Sequence, residues 1–124
     1  MKRGVIAIVK CNRKFLLLGK KEGFQTIWQF PSCEVKENEE PEMAVLARLK
    51  ENLSLDISLK DFLDILILPN STIYFYDCSS VSEEILLPKS YKSFSWVEPF
   101  ELENYLDKKT IDALPKEVIR TLKP

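Results

Sequence analysis

Histidine is absent from this 124-residue chain. That excludes a histidine general base, a Ser-His-Asp triad and imidazole ligation of a metal, so acid–base or metal chemistry has to come from carboxylates. Cysteine is sparse. Cys11, Cys33 and Cys78 are odd in number and widely spaced, which gives neither a disulfide framework nor a zinc spacing. Reduced thiols in a cytoplasm are the simplest reading. No apolar run approaches the roughly 20 residues that cross a bilayer, so no membrane partner is expected. Nor is there charge of one sign in excess: the net charge is −1, without the basic stripe that nucleic acid requires. The opening MKRGVIAIVKC has a basic start and a short apolar run but no small-residue cleavage site. It reads as a strand rather than a signal peptide.

What is present fits one core in one domain over residues 1–124, with 45% hydrophobic and 30% charged residues. The uninterrupted VIAIV run makes residues 4–9 a buried strand, followed by a polar turn at 11–14 and a returning strand at 15–18. Residues 20–26 read as a charged loop, 27–30 as a short strand ending at Pro31, and 32–40 as a second charged loop. Pro41 suits a first helical position, where its missing N–H costs nothing. The helix it opens runs to about Leu53, and Leu46, Leu49 and Leu53, with Ala44 nearby, fall at i, i+3, i+7 spacing and are expected to face the core. Its cap is poor, because Glu40 stands where Ser, Thr or Asp would serve better. A strand lies within residues 57–68, Pro69-Asn70 is a turn, and the aromatic and β-branched residues 71–78 form the clearest strand of the chain. A loop at 79–89 and a short strand at 94–97 follow. Helices are expected at 99–106 and within 111–122, the latter starting near Asp112 or, after Pro115, at Lys116. This order makes an α+β fold with a mixed sheet and helices on its faces.

The segment from Trp28 to Ile57 resembles the box of the Nudix family, in particular its small MutT-like members. The family pattern is G-x5-E-x7-R-E-U-x-E-E-x-G-U, where U is aliphatic. With Glu39 on the first family Glu, Cys33 stands at the first Gly and Ala47 at the Arg. Arg48 stands at the next Glu, and Glu51 and Asn52 at the Glu-Glu pair. Ser54 and Leu55 take the closing Gly and aliphatic. The likeness continues outside the box. A W-x-F-P-G-G segment is matched by Trp28-Gln29-Phe30-Pro31-Ser32-Cys33, and a late W-x-x-x-x-E-L phrase by Trp96, Glu101 and Leu102. The resemblance implies a Nudix-type α/β/α sandwich with a mixed sheet and a box helix. It further implies hydrolysis of a nucleoside diphosphate linked to another group, with Mg²⁺ or Mn²⁺ neutralising the diphosphate.

The substitutions fall on the chemistry. Positions i, i+3 and i+4 share a helix face, and in the family they carry three carboxylates that gather hard cations. Here they are Arg48, Glu51 and Asn52. Glu39 and Glu51 are left as candidate catalytic and metal-ligating residues, with Glu42 as a neighbour that would join them. Weighed against this, both are ordinary solvated acids, and conventional catalysis is expected to be weak or absent. The cofactor is then Mg²⁺ or Mn²⁺ if the protein is active, or none.

Candidate substrate-binding residues are Arg48, Asn52, Lys20 and Lys21. Arg48 can occupy the place of the metal and bind a diphosphate directly. An ion pair with Glu51 one turn away is the favoured competing reading. Lys20 and Lys21 match a basic position that often faces substrate in the family, and are equally well read as solvated loop charges. No glycine lies in the box: Ser32 and Cys33 replace it badly where φ > 0 is needed, whereas Asn38 tolerates that region. Cys33 reads as a passive small residue, and Trp28, Phe30 and Trp96 read as core. Two alternatives to the enzyme stand: a non-catalytic domain binding a nucleotide-like small molecule, and a protein-interaction domain.

Overall fold

β1 (Lys2–Cys11) is the hub of the fold. It pairs antiparallel with β2 (Lys14–Glu22) and β4 (Ser32–Val35), and parallel with β6 (Ser71–Ser80). The computed structural model describes residues 1–124. β3 (Gln25–Gln29) and β7 (Ser93–Val97) both pair with β2, and β5 (Ile57–Leu68) closes the far edge against β6. The main order is β3-β2-β1-β6-β5 in one seven-stranded mixed sheet.

The period-2 alternation of β1 and β2 feeds two cores. Val5, Ala7, Val9, Leu16 and Leu18 face α1 (Pro41–Leu53), which contributes Ala44, Val45, Leu49 and Leu53; Leu46, expected on this face, is only half-buried and lies outside the core, where Val45 one residue earlier takes its place. Ile8, Phe15, Leu17 and Phe75 face the other side. They are covered by Leu102 of the 3₁₀ segment Pro99–Asn104 and by Val118 and Leu122 of α3 (Lys116–Leu122). The α/β/α sandwich is thus built from a sheet apolar on both faces. Phe30 is buried, and Trp28 packs edge-on to Tyr105 at 5.0 Å; Trp96 is half-buried and donates Nε1–H to Glu83 O at 2.9 Å. All three serve the core, as expected.

Several elements differ from the sequence expectation. Residues 20–26 are not a loop: β2 runs on to Glu22 and pairs with β3, turning at Gly23 with φ +62°. Both faces of this arm are wet, so no alternation marks it. Residues 32–35 are strand because β1 supplies a partner at Arg3–Ile6, which local sequence does not announce. The helix expected at 99–106 is a 3₁₀ segment. The last helix is α3, which starts after Pro115 as the second of the two starts considered, and a separate short helix, α2 (Lys108–Asp112), precedes it where none was expected before Ile111. Gly19 is required for close approach, since a Cβ there would lie 2.6 Å from Ser93 Oγ and 2.9 Å from Thr26 Cγ2.

Candidate functional site

Three elements meet at the box: the turn after β4, α1, and the segment leading into β7. α1 begins at Pro41, and Glu40 makes no side-chain capping bond, as its residue type suggested. It ends with Ser54 in the left-handed region (φ 52°), where Ser54 N–H donates to Lys50 O and Leu55 N–H to Leu49 O. This is the double bond pattern that glycine usually supports. Asn38 also adopts positive φ (66°), as its tolerance predicted, and it shapes the turn that carries Glu39. Cys33 lies in extended β4 opposite Val5, so no positive φ is demanded of it or of Ser32. The expectation of strain at these two positions is corrected: a strand needs no glycine there.

The turn is pinned from two sides. Arg3 Nη2 donates to Lys36 O at 2.8 Å and Glu39 O at 3.1 Å. The Glu39 carboxylate accepts Lys36 N–H at 3.0 Å and is bridged by Arg48 Nη2, at 3.1 Å to Oε1 and 3.2 Å to Oε2. The Lys36 N–H bond, with the Arg48 charge behind it, holds the Glu39 carboxyl below the ordinary carboxylate range against the opposing effect of burial. Burial pushes the Cys33 thiol up, which Arg48 only partly offsets, so this thiol is not activated.

The pairing of Arg48 differs from expectation. Its partner is Glu39 on the preceding turn, nine residues back, and not Glu51 one helical turn on. Glu39 is held by two backbone-anchored contacts and offers both oxygens at fixed distance. Glu51 projects from an exposed position and forms no ion pair.

Arg48 also lines a cleft of about 220 Å³, together with Asn52 on the next turn of α1. The opposite wall is Pro88, Ser90 and Tyr91, and the floor includes Leu18, Pro31 and Ser32. Gln29 Nε2 donates to Tyr91 Oη at 3.2 Å. Of the candidate residues, the structure gathers Arg48 and Asn52 in the cleft wall and Glu39 behind Arg48. It leaves Glu51 outside the lining, and likewise Lys20 and Lys21, which are exposed and alternate to opposite faces of β2. Glu42 is turned away: it accepts the phenolic hydrogen bond of buried Tyr76 on β6. Arg3, Gln29, Ser90 and Tyr91 were missed by sequence reasoning. No motif marks them, and they reach the site only through strand pairing and the return of the 88–91 segment.

Among solved structures, the chain is similar to a Nudix-family hydrolase from Clostridium perfringens. The TM-score is 0.75 at 17% identity, over 87% of this chain and 89% of that one. It is also similar to a C. elegans Ap4A hydrolase, with a TM-score of 0.74 at 14% identity, over 95% and 93% of the two chains. The chain has the Nudix fold. Among curated proteins, an RNA pyrophosphohydrolase of Hydrogenovibrio crunogenus is 40% identical over 53 residues, which is 43% of this chain. The match spans about a third of that relative, 32% of its length. No family model matches the chain.

Within a Nudix fold, a divalent cation would be held by carboxylates of the box helix. The residues here do not fit one. No group of three or more Cys, Asp or Glu side chains converges anywhere in the structure, and both oxygens of Glu39 are already taken by Arg48. Glu51 and Asn52 would offer a single charge, whereas hard cations draw on several oxygen ligands and their summed charge.

Proposed function

We propose that this chain is a single-domain Nudix-family protein, of nucleoside diphosphate-linked pyrophosphohydrolase ancestry, whose metal-dependent turnover is weak or lost. Its cleft binds a nucleotide-like small molecule, with Arg48 and Asn52 as the contacting residues on α1. The observation that carries the reading is the Arg48 bridge across Glu39, which puts a cation where the family places a carboxylate. The three free thiols suit a cytoplasmic location. The relatives' printed activities, on RNA and on Ap4A, suggest which compounds to try first.

The test is a turnover panel with Mg²⁺ or Mn²⁺, covering nucleoside diphosphate-linked compounds, dinucleoside polyphosphates and 5′-triphosphorylated RNA. Release of phosphate, pyrophosphate or mononucleotide is measured. The expected result is no metal-stimulated release above the protein-free control, and a gain of such release in the Arg48→Glu, Asn52→Glu double variant. Rapid Mg²⁺-dependent turnover by the unaltered chain, abolished by Glu51→Gln, would sink the proposal.

A further inference from the structure

The cleft between α1 and the 88–91 segment has an unusual charge pattern. Its ten lining residues include one cation, Arg48, and no carboxylate. The polar groups around it are Asn52, Ser32, Ser90 and Tyr91. Gln29 donates to the Tyr91 oxygen, which leaves the phenolic proton free to point elsewhere. A guanidinium carries five N–H donors, and Glu39 engages Nη2 alone. Arg48 lines the cleft, so its donors not engaged by Glu39 are available to an anion there. The volume of about 220 Å³ falls below the roughly 300–1,000 Å³ that enclose a whole drug-sized ligand. The cleft therefore suits a phosphate or diphosphate group, with any nucleoside lying outside it.

We propose that this cleft is a metal-independent diphosphate site, in which Arg48 takes the place of a divalent cation and Glu39 is a built-in competitor for it. The inference rests on the reading of the cleft as a ligand site but goes further, since it names the group bound and the residue that opposes binding. Glu39 opposes an incoming anion in two ways: it occupies Nη2, and it sets a negative charge about 3 Å from the guanidinium. Lys36 N–H holds the Glu39 carboxylate and Arg3 holds the backbone of the turn beneath it, so the carboxylate does not swing freely away. A bound diphosphate must share Arg48 with Glu39 or take it over.

The probe is inorganic pyrophosphate, titrated calorimetrically into the full chain in EDTA and again with Mg²⁺. The unaltered protein should bind in EDTA, and added salt should weaken the binding. Mg²⁺ should not strengthen it. Glu39→Gln keeps the shape of the turn, removes the competing charge, and should tighten binding roughly three- to tenfold. Arg48→Ala should weaken it by at least about tenfold, and Arg48→Lys by less, since an ammonium keeps the charge but not the fork.

A requirement for Mg²⁺ would overturn the proposal. So would equal or weaker affinity in Glu39→Gln, or binding that survives Arg48→Ala. Absence of pyrophosphate binding in both the unaltered chain and Glu39→Gln would overturn it as well, while the turnover panel would still decide the family reading on its own. Should Arg48→Ala fail to fold, Glu39→Gln and Arg48→Lys carry the test.

Discussion

Ser54 shows how a single residue can carry a backbone conformation that glycine usually takes. It sits in the left-handed region at the end of α1, held by the two backbone bonds to Lys50 O and Leu49 O. An L-residue in that conformation costs roughly 1–2 kcal/mol relative to its favoured regions, whereas glycine pays almost none of it. Ser54→Gly should therefore stabilise the protein by about 1 kcal/mol and raise Tm by roughly 3–5 °C in a thermal melt. A neutral or lower Tm would show that the serine is compensated elsewhere. The same logic explains why Asn38 was legible from sequence and Cys33 was misjudged. Asn38 is a residue type that tolerates positive φ, and it adopts it. Cys33 was judged by a family glycine, yet its own backbone is extended because β4 pairs with β1.

At the scale of elements, β5 and β6 carry a pairing that opposes their own stability. Asp61 and Asp77 face each other across the ladder, beside a register shift between Leu59 and Asp61. Burial first, and the Asp61 carboxylate second, push the Asp77 pKa up. A carboxyl with a raised folded-state pKa binds its proton more tightly when folded. Its contribution to stability is thus best at low pH and is lost as pH rises through the ordinary value, about 3.9, to the folded one. At neutral pH Asp77 is charged at a cost, and like charges placed directly opposite cost a few tenths to about 1 kcal/mol. Asp77→Asn should recover that amount at pH 7 in urea denaturation, and the gain should vanish below about pH 3.9. A gain that persists unchanged in acid would remove the electrostatic explanation. The strands themselves were visible from their β-branched and aromatic content. The charge pair was not, because register across a hairpin with two shifts is not readable from either strand alone.

Over the whole molecule, one sheet serves two cores. Leu53 anchors the α1 side at 2% exposure and Val118 the α3 side at 0%. Leu53→Ala should cost about 3 kcal/mol and Val118→Ala about 2 kcal/mol. Because β1 and β2 contribute alternate residues to both cores, both losses should register in a single cooperative unfolding transition. With the two sites on opposite faces, the double variant should show the sum within about 0.5 kcal/mol. Two separate transitions in calorimetry would contradict this account.

The sequence by itself determined the elements whose signal is local. These are the VIAIV strand, the helix Pro41–Leu53 with its poor cap, and the strand after Pro69-Asn70. The absence of histidine, and Arg48 and Asn52 on one helix face, can likewise be read without coordinates. Only the tertiary structure decided which charges meet. Arg48 has acids at several sequence distances, and helical spacing favours Glu51. The turn pinned by Arg3 brings Glu39 to it instead, and the cleft opposite Tyr91 exists only because a segment 40 residues away folds back onto α1. Local propensity comes from neighbours along the chain. An ion pair or a cleft depends on chain crossings whose stabilisation is shared over the whole sheet, and no short stretch of sequence encodes it.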